Sequence, residues 1–285
     1  MTRYLLPTLI AVLLWWFSTG AVLYAVNRPR GEHTRVLVIS TLLMVFGLAS
    51  LYCISDSKIT VTSAYLGFVS ALAVWAWHEV TFLFGIITGP NKMPSVQLAG
   101  RPAPLMKAIS TVIYHEVALA LTMAAIVALT WGGENQTGTW TFLVLWLMRL
   151  SAKINVYLGV PNITDEFMPK HLQYLKTYFC HRPMNLFFPA VITVATITTA
   201  ALAILALHPS RSDGQAVAES LVAALLALAV IEHWFLVIPF KSAQLWAWAP
   251  DDSADDPSSI LSSNIMSSNI ITGRNLPAAV TRGVA

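Results

Sequence analysis

Seven apolar runs, each about 20 residues long or longer, leave this chain few ways to fold. They cover residues 4–26, 36–55, 61–88, 106–131, 139–158, 184–207 and 216–240. Polar or helix-breaking residues follow them: Asn27-Arg28-Pro29-Arg30 after the first, Gly89-Pro90 after the third and Gly132-Gly133 after the fourth. A helix rising 1.5 Å per residue needs about 20 residues to cross a hydrocarbon core about 30 Å thick. In lipid the backbone must satisfy its own hydrogen bonds, so a spanning segment is a helix or part of a closed barrel. The runs lack the alternating pattern of barrel strands. The expected fold is therefore all-α, a polytopic transmembrane helical bundle of about seven spans. The first run is too long for a signal-peptide core and lacks a small-residue cleavage site, so it reads as a span.

Composition agrees. Charged residues are 11% of 285, against roughly 25% in a soluble domain, too few to cover a soluble body of this size. The 56% of hydrophobic residues excludes a wholly disordered chain. The net charge of +3 is small and its basic residues are scattered, which argues against a nucleic-acid partner. Membrane lipids are the expected surroundings. The two cysteines form no CxxC, and the topology places Cys53 and Cys180 at opposite faces as isolated thiols.

Lysine and arginine in the connections set the orientation. With seven spans, one side carries Arg3, Lys58 and Arg211, and the other carries Arg28, Arg30, Arg35, Lys92, Arg101, Lys107, Lys170, Lys176, Arg182 and Lys241. The N-terminus is thus expected outside and the C-terminus in the cytoplasm. Residues 1–248 form the transmembrane helical domain. Within it, the cytoplasmic connection 159–183 holds an amphipathic stretch (Lys170, His171, Leu172, Tyr174, Leu175, Tyr178, Phe179), read as a short interfacial helix. Residues 249–285 are rich in Ser, Asn and Asp, repeat Ser-Ser-Asn-Ile at 262–265 and 267–270, and read as a disordered cytoplasmic tail.

Ionisable groups inside a span are costly and by default mark function. The third run holds His78-Glu79, the fourth His115-Glu116, the seventh Glu232-His233, and the fifth Arg149, Lys153 and Asn155. Counting from the inner ends of the runs, all lie roughly 10–15 Å from the cytoplasmic boundary at 1.5 Å per residue. Imidazole and carboxylate together suit iron, manganese or zinc, which makes His78, Glu79, His115, Glu116, Glu232 and His233 candidate metal ligands. Adjacent residues, however, point about 100° apart on a helix, so a His and its Glu neighbour can hardly chelate one ion. Three readings stay open. The residues form a buried ion-pair network in which the acids neutralise Arg149 and Lys153. Or they hold a metal. Or one of His78, His115 and His233 is the axial ligand of a Mg-tetrapyrrole among Trp75, Trp77, Trp146 and Trp234. His33 and His208 read as solvated loop residues, and His171 and His181 as interfacial anchors. No Walker A, GxGxxG, GxSxG or HExxH motif occurs.

The segment from Ile154-Asn155-Val156-Tyr157-Leu158-Gly159-Val160-Pro161-Asn162-Ile163-Thr164-Asp165-Glu166-Phe167 through Met168-Pro169-Lys170-His171-Leu172-Gln173-Tyr174-Leu175-Lys176 resembles the photosynthetic complex assembly protein family (PuhE type) of purple and related phototrophic bacteria. Trp77-His78-Glu79, Tyr114-His115-Glu116 and Glu232-His233 fit the same family, and the resemblance covers residues 4–248. It implies a multi-span protein of the bacterial inner membrane that assists assembly of the reaction centre and light-harvesting antenna and is linked to bacteriochlorophyll supply. Reaction-centre or antenna subunits and other assembly factors are then the expected partners. The resemblance carries no assigned catalytic residue. Beside this assembly factor stands a reading from another class, a membrane metal-dependent oxygenase or hydrolase acting on a pigment, lipid or quinone.

Overall fold

A computed structural model of the chain describes residues 2–95, 102–163 and 168–239. The serine-rich tail 249–285 and the acidic pair Asp165-Glu166 lie outside the described residues. Among those described, the fold is all-helical: α1 (Thr2–Val26), α2 (His33–Ser55), α3 (Val61–Leu83), α4 (Leu105–Ile109), α5 (Ile113–Leu129), α6 (Thr137–Leu158), α7 (Phe187–Ala206) and α8 (Asp213–Phe235), with two 3₁₀ segments at Arg30–Glu32 and Lys170–Tyr178. Six of these helices are long and apolar enough to cross a membrane, and α5, at 17 residues, is shorter.

Two starts follow sequence rules closely. Thr60 caps α3 and Ser212 caps α8, each in a reciprocal box with Ser63 or Gln215 three residues on. The two helices so anchored are also the innermost. Half of the apolar window of α3 and 61% of that of α8 is buried, against 11% for the peripheral α7. One cluster joins α1, α3 and α8 through Ala11, Phe68, Leu72, Leu221 and Leu225. A second joins α2, α3, α5 and α6 through Leu51, Val74, Leu119 and Phe142.

Two runs end or break earlier than their apolarity implies. The third stops at Leu83. Gly85, at φ +73°, is the left-handed residue after the helix. The Gly85 N–H donates to Phe82 O at 2.8 Å and the Ile86 N–H to Thr81 O at 3.0 Å, the paired bonds of a Schellman ending. Residues 84–91 then fold back against the fourth run and break it between α4 and α5. There the Ser110 and Thr111 hydroxyls bond back to Lys107 O and Ala108 O, each at 2.7 Å. The His115 N–H donates to Thr88 O and the Asn91 N–H to Ser110 O, at 3.0 and 3.1 Å. A Cβ on Gly89 would collide with the Ser110 carbonyl, so only glycine admits this approach.

The expected interfacial helix in the connection is a 3₁₀ segment, Lys170–Tyr178. Its buried residues are Leu172, Leu175 and Tyr178, spaced by three as a three-residue turn requires. They pack on Phe82. His171 is no simple anchor: its Nε2 lies 2.9 Å from Leu83 O and, facing a carbonyl, donates to it at the end of α3. Asn185 ties the end of α6 to the start of α7, donating to Gly159 O at 2.9 Å and accepting the Phe187 and Phe188 N–H groups at 3.0 Å.

The α3–α6 crossing is made of glycine. A Cβ on Gly67 would lie 3.2 Å from Gly138 N, and one on Gly138 would lie 3.0 Å from Gly67 O and overlap Leu51. Small residues permit such close approach of helices in membranes. Gly138→Leu is therefore expected to destabilise the protein by about 1–3 kcal/mol through overpacking, read as a lowered Tm in detergent. Gly31→Ala, with nothing within 4 Å of the added carbon, leaves Tm unchanged.

Candidate functional site: an intramembrane ion-pair layer on a cavity

The polar residues of α3, α5, α6 and α8 do share one end of the bundle, closer to the helix ends than the apolar runs imply. α3 stops at Leu83, α5 begins at Ile113 and α8 stops at Phe235, so His78-Glu79, His115-Glu116 and Glu232-His233 all lie within two turns of an end. The folded-back segment 84–91, the 3₁₀ segment and residues 236–239 follow there. The estimate of 10–15 Å was set by runs that counted these non-helical residues as helix.

The acids and bases pair across helices. The Arg149 Nη2 donates to Glu79 Oε2 at 3.1 Å, linking α6 to α3. One turn on, the Lys153 Nζ donates to Glu116 Oε1 at 2.5 Å, linking α6 to α5. Glu116 lies in the first turn of α5, where the helix dipole favours a carboxylate. The Trp146 indole reaches its second oxygen at 3.4 Å, and the Lys153 ammonium stands 5.4 Å from the centre of the Phe82 ring, close enough for a cation–π contact. Glu232 on α8 is held by the Trp15 side chain of α1 and stands in the fields of Arg149 and Glu79.

These five charged residues line one cavity of about 980 Å³ between α1, α3, α6 and α8, with α4, the start of α5 and the 3₁₀ segment around one end. The rest of the wall is mostly apolar or aromatic, including Trp15, Trp75 and Leu225. The volume lies at the upper end of the range for small-molecule sites, which pair apolar walls with a few placed polar groups.

The histidines divide differently. His78 and His115 are each 1% exposed and face protein rather than the cavity. Their rings stand 6.2 Å apart edge-to-face, with Phe82 4.6 Å from His115 and Phe142 6.0 Å from His78. His78 Nε2 bonds Thr122 Oγ1 of α5 at 3.0 Å. Among the described residues, neither ring's Nδ1 meets a hydrogen-bond partner. His233 does line the cavity, and both its nitrogens are engaged. Nδ1 faces Ala229 O at 2.8 Å and therefore donates, while Nε2 lies 2.8 Å from Ser151 Oγ. Ser151 also reaches Met148 O at 2.9 Å. Its hydroxyl has one proton to give. Given to Nε2, it leaves the imidazole neutral. Given to Met148 O, it requires a proton on Nε2 and a cationic ring. The same heavy-atom geometry serves both states.

Asn155 is fully buried and donates to Ser151 O at 3.0 Å, within α6. The arrangement found pairs Glu79 with Arg149 and Glu116 with Lys153. Among the described residues no three His, Cys, Asp or Glu side chains converge as a metal site. The six candidate ligands separate into a buried imidazole pair, two acids committed to cations, and the Glu232-His233 pair across the cavity. Thr122, Ser151 and Trp15, the partners that set this geometry, were not singled out from the sequence. Only spacing hints at one of them: Thr122 follows His115 by seven residues and so shares its helix face.

Residues 1–256 match the model of a family described as Protein of unknown function (DUF3623). The chain belongs to this family. It is 36% identical over 261 residues to a Rhodobacter capsulatus protein described as an uncharacterized 30.4 kDa protein in the puhA 5′ region, a match covering 90% of this chain and 94% of that one. No solved structure matches the chain.

Removing one member of a poorly hydrated ion pair strands the other, at about 3–5 kcal/mol. Lys153→Met is accordingly expected to destabilise the protein by that order in detergent melts. Adding Glu116→Gln to the same variant restores most of the loss. A double variant no better than the single would show that the pair does not act as a unit.

Proposed function

We propose that the protein is a seven-span inner-membrane factor that assists assembly of the photosynthetic reaction centre and its antenna and supports bacteriochlorophyll supply. The observation that carries this reading is the R. capsulatus relative, matched over 90% of this chain and described by its place in the puhA 5′ region. The segment 154–176 resembles an assembly family that bears the same puh designation. In this reading α5, about 25 Å long at 1.5 Å per residue, completes the seventh span together with α4. The N-terminus then lies outside and the C-terminus in the cytoplasm, with the basic connections on the inner side. The ion-pair layer and its cavity face the cytoplasmic half of the bundle and form the working site, which holds a ligand rather than a metal.

Deleting the gene is expected to lower the near-infrared absorbance of assembled reaction centre, while free pigment intermediates remain normal in kind. Accumulation of one defined precursor would instead mark a biosynthetic enzyme. The orientation has its own check. Cys53 is exposed two residues before the end of α2, and a membrane-impermeant maleimide should label it from the outer face of intact spheroplasts. Labelling only in inverted vesicles would reverse the topology.

A further inference from the structure

Among the described residues the layer holds three acids and two bases. Glu79 is matched by Arg149 and Glu116 by Lys153, which leaves Glu232 in excess. In a low-dielectric bundle an uncompensated charge is expensive. One proton closes the count, and the groups facing Glu232 offer two places for it: the Glu232 carboxyl itself, beside Trp15, or the adjacent His233, whose bond with Ser151 admits a second proton by rotation of one hydroxyl. Once that proton is taken, the layer is neutral. A ligand of either net charge would reopen the imbalance.

A second observation specifies the head group. Arg149 is 46% exposed and lines the cavity, while among the described residues its guanidinium spends one contact, on Glu79. Its remaining N–H donors point to an oxygen acceptor on the ligand. A third specifies the body: about 980 Å³ bounded mainly by apolar and aromatic side chains suits a long chain rather than a small polar molecule.

We infer that the cavity between α1, α3, α6 and α8 binds a neutral amphiphile, its oxygen-bearing head at Arg149 and its hydrocarbon body along the apolar wall. This inference rests on the proposal that the layer is the working site. Binding is read on purified protein without any assembly step, so the two can fail separately.

The test uses the full-length protein in detergent, titrated with three probes of equal chain type: dioleoylglycerol (neutral, with ester carbonyls and a hydroxyl), oleate (anionic) and oleylamine (cationic). Binding is followed by native mass spectrometry. One dioleoylglycerol per chain is expected, at least tenfold tighter than either charged probe. The double variant Glu79→Gln/Arg149→Gln keeps the charge balance and removes the charged guanidinium, and should weaken binding about tenfold, the loss of one charge-assisted hydrogen bond. Thr19→Trp, on the α1 wall and in no ion pair, should abolish it with Tm unchanged. Oleate or oleylamine binding as tightly as dioleoylglycerol overturns the inference, as does a Thr19→Trp variant that binds normally. A role in assembly with no dioleoylglycerol bound would also sink it, and would leave the functional proposal standing.

Discussion

Charge inside the bundle has to be balanced where it stands, and this requirement organises the rest of the molecule. At 4 Å, opposite charges attract by about 4 kcal/mol at an effective dielectric of 20, and by about 1 kcal/mol in water. Desolvation cancels much of that gain, so the pairs add little net stability. What they supply is position. Arg149 and Lys153 stand one turn apart on α6 and take their acids from two different helices, Glu79 of α3 and Glu116 of α5. A rotation of α6, or a slide by one turn, would break both pairs at once.

Geometry elsewhere makes the pairing reachable. The glycine contact fixes Gly67 against Gly138. From that crossing Glu79 lies 12 residues along α3, and Arg149 lies 11 along α6. Both helices run toward the same end, so at 1.5 Å per residue the two partners arrive at nearly equal height. The tight crossing and the ion pair are thus two readings of a single register. Leu51, Phe142 and Val74 fill the space between. A bulky residue at either glycine would act at a distance, by tilting α3 from α6 and stretching the Arg149–Glu79 bond.

The sequence makes the bundle and the membership of the layer legible, because charge is rare enough in apolar runs to stand out. It also makes legible that a histidine and its glutamate neighbour face different ways, since that follows from the helix repeat alone: His78 turns into protein and Glu79 into the cavity. What it conceals has common causes. Gly85 ends α3 through backbone conformation, in an apolar stretch that hydrophobicity carries on to Thr88. Residues 84–91 break the fourth run by offering it hydrogen bonds from a distant part of the chain. Thr122, Ser151 and Trp15 read as neutral occupants of a span until the fold places each against a ring or a carboxyl.

The His-Glu adjacency explains why, among the described residues, the six side chains do not converge on one point. A chelate needs its donors on one face, as an i, i+3 or i, i+4 spacing supplies. Neighbours about 100° apart instead sort into two compartments. On the protein side, His78 and His115 pack edge-on or tilted against each other, Phe142 and Phe82. On the cavity side, Glu79 and Glu116 are already satisfied by cations of α6. The third pair runs in the opposite order, Glu232 before His233, and here both residues reach the cavity. That inversion places the unmatched acid next to an imidazole whose partner, Ser151, can accept either protonation state. Of the three pairs, it alone sets both members on the space where a ligand would lie.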